Sequence, residues 1–287
     1  MKEKNTWFDA VNVIFILLLT VICFYPLWYV LVISFSTSKG YYESTYHLIP
    51  NSFTLQSYQR IIQEKTVFRA FAISIKTTVL GTAVSMLLTA MGGSVFSKSE
   101  LPGMKKLYKL AIFTMYFSGG MVPMYLLVNT LNLKNTVWAL ILPGAISTFN
   151  VILARNYFLS LPNELEESAK IDGATEVQIF YKIIIPLSMP ILATLTLFYA
   201  VGYWNDYMKA LLYISDESKF TLPLVIRSLL TQAANPIASA NATTRSEVFK
   251  EGMNMATVIV SIVPILIIYP WLQKYFVGGI MIGAVKG

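Results

Sequence analysis

The chain has few charged residues. Asp, Glu, Lys and Arg make up 13% of its 287 residues, and hydrophobic residues make up 55%. A soluble globular domain carries about 25% charged residues, because its surface faces water. The deficit therefore predicts a surface that faces lipid, and an all-α polytopic membrane protein.

Cysteine and histidine are almost absent. Cys23 and His47 are the only residues of these types, which excludes an intrachain disulfide and makes a Cys/His zinc site untenable. An intramembrane enzyme with a nucleophile and a base is a poor fit for the same reason. We expect no metal site and no cofactor in this chain.

The phosphate-binding sequence G-x-x-x-x-G-K-[ST] is also missing. The glycine pairs Gly92-Gly93 and Gly119-Gly120 lie in apolar runs without the lysine, where glycine more often serves helix packing or bending. The chain is therefore not expected to be an enzyme that hydrolyses ATP.

The net charge of +7 does not indicate a nucleic-acid partner. The basic residues are scattered among apolar stretches, and no basic face with interleaved aromatic residues is present. We interpret them as anchors in the loops of a membrane protein.

Six stretches reach the length of about 20 apolar residues that crosses a bilayer. They cover residues 11–35, 77–97, 110–133, 135–154, 183–205 and 252–273. An even number of spans places both termini on one side. The Lys and Arg residues divide about equally between the two sides, but the group Lys105, Lys106 and Lys109 favours cytoplasmic termini.

The spans predict a division of the chain into segments. Residues 1–10 form a cytoplasmic N-terminus, 11–277 a six-helix transmembrane domain, and 278–287 a cytoplasmic tail. Within the domain, 160–186 form a cytoplasmic loop and 206–251 an extracellular loop, in which the run 232–244 is rich in small polar residues.

The loop 160–186 has the pattern of two short helices. Asn163 and Glu166 fit a capping box at the first helix, and Thr175 and Gln178 fit a second box. Gly173 between them suits a left-handed helix end. Leu165, Ala169 and Ile171 are predicted near one face of the first helix, and Ala174, Val177, Phe180 and Tyr181 mark a face of the second.

This loop is acidic. Glu164, Glu166, Glu167, Asp172 and Glu176 outnumber its lysines. A helix that lies in the membrane interface usually carries Lys and Arg on its polar face, and anionic headgroups repel an acidic one. The composition therefore favours a docking surface for a soluble partner over an interfacial helix.

At these residues the sequence resembles a known family. The string Glu164-Leu-Glu-Glu-Ser-Ala-Lys-Ile-Asp-Gly-Ala174, followed by Phe180, Ile183, Ile185 and Pro186, is similar to the EAA motif of ABC importer membrane subunits. The string is similar to the version found in the carbohydrate-uptake branch, which includes the maltose transporter. Ser168 replaces the usual first alanine, and Ile185 stands where leucine is common.

Two further segments extend the resemblance. Trp204-Asn205-Asp206 resembles the Trp-Asn element of this branch, and the glycine-rich ending 276–287 is similar to that of the maltose transporter's smaller membrane subunit. The resemblance covers roughly residues 68–287.

The resemblance implies a type I ABC importer fold with a cytoplasmic coupling-helix loop seated in a separate ATPase. Glu167 would pair with an ATPase arginine, Gly173 would permit the bend, Ala169 and Ala174 would allow close approach, and Phe180 would fill an apolar pocket. The implied coupling residues are Glu167, Ser168, Ala169, Asp172, Gly173, Ala174, Phe180 and Pro186.

The same resemblance implies the partners and the location. These are a homologous second permease subunit in a heterodimer, two cytoplasmic ATPase subunits that use ATP and Mg, an extracytoplasmic sugar-binding protein and membrane lipid, in a bacterial plasma membrane. The implied substrate is a sugar of the oligosaccharide class, with a polyol or glycerol phosphate as alternatives. A secondary transporter is disfavoured, since the spans carry almost no central charge.

The transport path is predicted from helix breakers and sugar-binding residue types. Gly119, Gly120 and Pro123 break the third span, Pro190 is expected to break the fifth, and broken helices commonly line cavities. The aromatic candidates have an alternative place in interfacial belts. The full candidate set is Tyr116, Phe117, Gly119, Gly120, Tyr199, Tyr203, Trp204, Asn205 and Asp206.

Overall fold

The computed structural model describes residues 7–63, 65–234 and 249–284. These residues are helical apart from turns, short irregular segments and one isolated antiparallel bridge between Ser36 and Phe53. The all-α prediction is therefore confirmed for the described part of the chain. Most of the small polar run 232–244 lies outside it.

Three continuous helices are long and apolar enough to cross a membrane. They are α1 (Trp7–Ser34), α4 (Lys65–Ser97) and α15 (Lys250–Ala284), the last one through its first 18 residues, Lys250–Ile267. The helix α15 extends through most of the predicted tail 278–287.

Three further candidate spans are bent pairs of helices, each with a sharp break. They are α5 (Met104–Tyr116) with α6 (Met121–Thr130) at 111°, α7 (Val137–Ile141) and a 3-10 turn (Leu142–Gly144) with α8 (Thr148–Phe158) at 55°, and Glu176–Leu187 with α12 (Met189–Asn205) at 82°. Counting each pair as one span gives six, by length and composition.

Two of these breaks occur where the sequence predicts them. Between α5 and α6, Gly120 adopts a φ of 87°, a left-handed region that favours glycine. Before α12, Ser188 leaves helical geometry and Pro190 follows at the second helical position. Proline has no N–H to donate to the carbonyl four residues earlier, so the helical hydrogen bonding is interrupted there.

The third break, between α7 and α8, is not predicted from the sequence. Pro143 lies in the 3-10 turn, and Ser147 caps α8 by accepting a hydrogen bond from the Asn150 amide at 3.4 Å. A serine cap is a common local signal, but here it lies inside an apolar stretch whose length predicts one continuous span.

The remaining helices are short and lie in the segments between spans. They are α2 (Ser38–Glu43), α3 (Gln56–Gln63), α9 (Asn163–Ile171), α10 (Glu176–Ile179), a π-helical turn (Phe180–Ile184), α11 (Ile185–Leu187), α13 (Met208–Tyr213), a 3-10 turn (Glu217–Lys219) and α14 (Leu222–Ala234). The predicted extracellular loop 206–251 therefore contains helical structure.

The described residues of Met1–Phe68 and Val225–Pro264 form one compact unit. Within it, the side chains of residues 7–28 of α1 are exposed, as expected for a helix that faces lipid or another subunit. The end of α1 is fixed by the loop that follows: Phe35 stacks on Phe53 at 5.2 Å, and the hydroxyls of Ser34 and Tyr58 are 2.8 Å apart.

The second compact unit comprises the described residues of Arg69–Leu224 and Ile265–Gly287. Its helices α4, α8 and α12 are joined by a buried apolar cluster and by buried hydroxyl contacts. Hydrogen bonds and close packing of small residues are what holds helices together in lipid, where the hydrophobic effect between them is lost. The cluster consists of Ala90, Ala154, Phe158, Ile179, Ile184, Leu192 and Leu195.

Neighbouring glycines on α4 provide a matched test of this packing. A Cβ at Gly93 would lie 2.8 Å from the Ala154 Cβ and 3.2 Å from the Arg155 backbone nitrogen, whereas a Cβ at Gly92 would lie 3.6 Å from its nearest neighbour. We expect Gly93→Ala to destabilise the protein by about 1–3 kcal/mol through overpacking.

The Gly92→Ala variant has the same change in helix propensity, and it should melt at or above the wild-type temperature. Thermal unfolding of the purified protein in detergent measures both. Equal melting temperatures for the two variants would contradict the close approach of α4 and α8.

Candidate coupling loop and transport path

The turn between α9 and α10 is held by backbone hydrogen bonds. The Ala174 amide donates to the Ala169 carbonyl at 2.9 Å, and the Gly173 amide donates to the Lys170 carbonyl at 3.0 Å. Gly173 has a φ of 78°, and no atom lies within 4 Å of the position that a Cβ would take. This is a Schellman motif, so glycine is required by backbone conformation and not by space.

The two predicted helix caps have different outcomes. Thr175 and Gln178 form the complete capping box, which is confirmed. The box at Asn163 and Glu166 is wrong: Pro162 occupies the cap position, Asn163 is the first helical residue, and no side chain caps this helix. Because φ of Pro162 is fixed at −61°, proline itself sets the direction in which the chain enters α9.

The loop has an inward face that contacts the core of its own unit. Ala169, Ala174 and Phe180 pack against the buried cluster that includes Ile179 and Leu195. These three side chains are partly buried by this contact within the chain, and their contact with the ATPase stays a prediction.

The opposite face of the loop is exposed. Glu167, Ser168, Asp172 and Gly173 lie on it, and Pro186 is exposed further along. Ile171 is 86% exposed, so the prediction that it shares a face with Ala169 is wrong. A helix of nine residues has only a narrow inward stripe, and Ile171 lies two positions from Ala169, about 200° around the helix.

A network of ion pairs connects this loop to the end of α4. The Lys98 ammonium contacts the Glu176 carboxylate and lies 3.6 Å from that of Glu166. Lys170 contacts Glu176 at 3.0 Å. This hydrogen bond from the Lys170 ammonium to the carboxylate raises the pKa of Lys170 above its usual value. Exposed ion pairs contribute little individually, but here two of the three pairs share the Glu176 carboxylate.

Other acidic side chains of the loop are not used in this way. In the described part of the chain, Glu164, Glu167 and Asp172 form no ion pair. The exposed face of α9 is thus left with negative charge that this unit does not neutralise, as suits a surface for a basic partner.

The candidates at the α5–α6 bend are exposed. Tyr116 is 73% exposed and Phe117 is 66% exposed, and the Phe117 ring stacks on Phe113 with centroids 4.3 Å apart. Gly119 and Gly120 complete the bend. Two aromatic rings beside a helix break are available for contact with a sugar face.

The tyrosine candidates on α12 are buried and already hydrogen-bonded. The Tyr199 hydroxyl lies 2.7 Å from the Thr89 hydroxyl and accepts a hydrogen bond from the Ser147 amide at 3.1 Å. The Tyr203 hydroxyl lies 2.9 Å from that of Ser85 and donates to the Ile141 carbonyl at 3.3 Å. Both side chains therefore fix α12 against its neighbours.

The remaining candidates lie at the end of α12. Trp204 is buried and meets the Phe71 ring edge to face at 5.9 Å. Asn205 is exposed and donates to the Val201 carbonyl at 3.0 Å. Asp206 pairs with Lys209 at 2.6 Å.

Sequence reasoning missed Lys98 as part of the coupling loop. Lys98 is 78 residues from Glu176, and no local pattern connects the two. The one signal available was its position, as the first charged residue after the apolar stretch 77–97.

Comparison with known proteins decides the family. Residues 101–281 match the family described as "Binding-protein-dependent transport system inner membrane component". The chain belongs to this family. The predicted resemblance to ABC importer membrane subunits is thereby confirmed, and the chain is a transport permease.

Relatives of this permease match it along nearly its whole length. It is 40% identical over 285 residues to the polygalacturonan/rhamnogalacturonan transport system permease protein YtcP of Bacillus subtilis, covering 99% of this chain and 100% of that one. It is 41% identical over 280 residues to protein LplC of the same organism, covering 98% and 95%.

A solved structure resembles this permease in fold and sequence. It is the crystal structure of a bacterial ABC transporter involved in the import of the acidic polysaccharide alginate. The TM-score is 0.88 at 31% identity, covering 94% of this chain and 96% of that one. The permease therefore has the fold of an ABC importer membrane subunit.

Proposed function

We propose that this permease is one of two homologous pore-forming subunits of an ABC importer for oligosaccharides. It crosses the bacterial plasma membrane six times, with both termini in the cytoplasm, and couples to a separate ATPase through α9 and α10. The observation that carries the coupling role is the exposed acidic surface formed by Glu167 of α9 and by Asp172 directly after it, next to the hydrogen-bonded turn at Gly173.

The relatives support the substrate class. Their names specify polygalacturonan and rhamnogalacturonan for one permease, alginate for the importer of known structure, and arabinooligosaccharides for a permease of Halalkalibacterium halodurans that is 29% identical over the full length of this chain. Oligosaccharides that contain uronic acids are the first candidates. A polyol or glycerol phosphate would be the alternative substrate.

The proposed complex has a homologous second permease, two cytoplasmic ATPase subunits that use ATP and Mg, and an extracytoplasmic sugar-binding protein that faces residues 206–251. The basic residues Lys105, Lys106, Lys109 and Arg155 would lie on the cytoplasmic side with the coupling loop, as the excess of Lys and Arg in cytoplasmic loops favours.

The coupling loop contacts the membrane helices through the core of the second unit. Ala169 and Phe180 contact a cluster that contains Ala90 of α4 and Leu192 and Leu195 of α12. Closely packed interiors transmit displacement because they have little free volume. Movement of α9 by a closing ATPase would therefore move α4 and α12.

The proposed path for the sugar starts at the α5–α6 bend. Tyr116 and Phe117 are exposed and offer their ring faces, and Gly119 and Gly120 leave the backbone accessible. We assign Tyr199 and Tyr203 to positioning α12, because their hydroxyls are engaged within the chain. Trp204, Asn205 and Asp206 would border the path at the end of α12.

Uptake by the reconstituted complex tests the function. Vesicles that contain this permease, its partner permease and the ATPase, with ATP on the ATPase side and the binding protein on the other, should accumulate a labelled oligogalacturonide without an ion gradient. Uptake should stop when ATP is replaced by ADP, because no other source of free energy is present.

A secondary transporter would give the opposite pattern. Uptake by vesicles that contain this permease alone, driven by a proton or sodium gradient, would contradict the proposal. A labelled arabinotriose and a labelled glycerol phosphate, each with its own binding protein, serve as the comparison substrates.

A further inference from the structure

A second site lies where α4 ends and α5 begins. It is a cavity of about 300 Å³, bordered by α4, α5 and Arg155 of α8. Three of its lining side chains are cationic: Lys105, Lys109 and Arg155. None of the coupling residues lines it.

One face of α5 supplies most of the lining. Lys105, Tyr108, Lys109 and Ile112 are spaced by three and four residues, so they share a face of the helix and point to the same side. Lys106 is adjacent in sequence but does not line the cavity. The chain thus contains a lysine of equal charge and similar position that lies outside the site.

Arg155 is held in place by three contacts. Its Nε donates to the Phe96 carbonyl at 2.9 Å, its Nη1 donates to the Asn156 side-chain oxygen at 3.2 Å, and its guanidinium lies over the Tyr108 ring at 4.2 Å. These partners are neutral, and they leave other N–H groups of the guanidinium for an anion.

The cavity has positive charge without a matching negative charge. In the described part of the chain, Lys105, Lys109 and Arg155 form no ion pair. Cations around a small cavity repel one another, so an anion between them is stabilised. Arginine and lysine together suit a phosphate, since the planar guanidinium binds its oxygens in pairs and the ammonium adds a point charge.

The other part of the lining is apolar and indicates which phosphate fits. Phe96, Met104 and Ile112 border the same cavity. The helix α4 is itself a candidate membrane span, and α5 is half of another. A soluble anion would leave this apolar surface uncovered, whereas the glycerol backbone and upper acyl chains of a lipid would cover it. Basic pockets between membrane helices are known to bind anionic headgroups.

We propose that this cavity binds the phosphate of an anionic phospholipid. The lipid would fix the turn between α4 and α5 at the membrane interface. This inference depends on neither the transported sugar nor the coupling role of α9.

Native mass spectrometry of the delipidated full-length permease, with its partner subunits, tests the proposal. Dioleoylphosphatidylglycerol and dioleoylphosphatidylcholine have the same acyl chains and differ in net charge. We expect tighter binding of the phosphatidylglycerol. In the double variant Lys105→Gln/Lys109→Gln its affinity should fall by roughly 25-fold, about fivefold for each lysine, while that of phosphatidylcholine stays unchanged.

The matched control is Lys106→Gln, which should retain most of the phosphatidylglycerol affinity, because this lysine does not line the cavity. Lys105→Arg/Lys109→Arg keeps the charge and should retain the preference, which separates loss of charge from loss of folding. An equal loss in Lys106→Gln, or no preference for phosphatidylglycerol, would overturn the proposal. So would displacement of the lipid by millimolar inorganic phosphate, since the ligand would then be a soluble anion.

Discussion

Reversing the charge of Glu167 is expected to remove the ATPase from the complex. Glu167 is exposed on α9 and has no ion-pair partner in the described chain, so its carboxylate is free to pair with a cation of the ATPase. Truncating one partner of a buried, hydrogen-bonded charge pair costs about 2–5 kcal/mol. Glu167→Arg places two cations together and should weaken ATPase binding by at least about 30-fold.

The measurement is the amount of ATPase that copurifies with a tagged permease. Glu164→Arg is the matched control, since Glu164 lies on the same helix, is also exposed and gives the same change in net charge. We expect it to retain most of the ATPase. Equal losses in the two variants would mean that only the general charge of α9 matters, and full retention in Glu167→Arg would contradict the coupling role.

Lys98→Glu is expected to uncouple ATP hydrolysis from transport while the ATPase remains bound. Lys98 lies between the carboxylates of Glu166 and Glu176 at the end of α4. Each exposed pair is worth at most about 1 kcal/mol. Reversal replaces two attractions by two repulsions and should loosen the loop from α4 by roughly 2 kcal/mol, after allowance for solvent screening.

Reconstituted vesicles measure the effect as sugar molecules imported per ATP hydrolysed, which should fall by about tenfold or more if a contact of this strength is lost. Lys106→Glu makes the same change in net charge without touching an ion pair and should transport normally. The exchange Lys98→Glu/Glu176→Lys restores the attraction between these two positions but sets a lysine at 176 against Lys170, so we expect it to recover little of the transport. Normal transport in Lys98→Glu would show that the network does not connect the loop to α4.

The helices α9 and α10 show which features the local sequence can predict. The Schellman turn at Gly173 and the box at Thr175 and Gln178 were predicted correctly, because each involves residues within six positions of one another. The cap at Asn163 was wrong although it is equally local, because Pro162 also fits that position and its fixed φ decided the start of α9.

The two faces of the coupling loop were harder to predict. Ala169 and Ala174 look like surface residues for a partner in the sequence, but they pack on the core of their own unit. The contacts of the two α12 tyrosines were also not predicted from the sequence. Tyr199 lies 110 residues from Thr89 and Tyr203 lies 118 residues from Ser85, and nothing in the sequence specifies those partners.

The sequence by itself determined that the chain is a helical membrane protein, where α5–α6 and the fifth span break, and which family it resembles. These features depend on the length of the apolar stretches, the backbone freedom of glycine and the missing N–H of proline. Each acts locally along the chain, so the sequence alone predicts it. The tertiary structure alone decided that Lys98 connects α4 to the acidic loop and that Arg155 closes a basic cavity with α5. These contacts join residues far apart in sequence, and they depend on how helices pack, which no local pattern encodes.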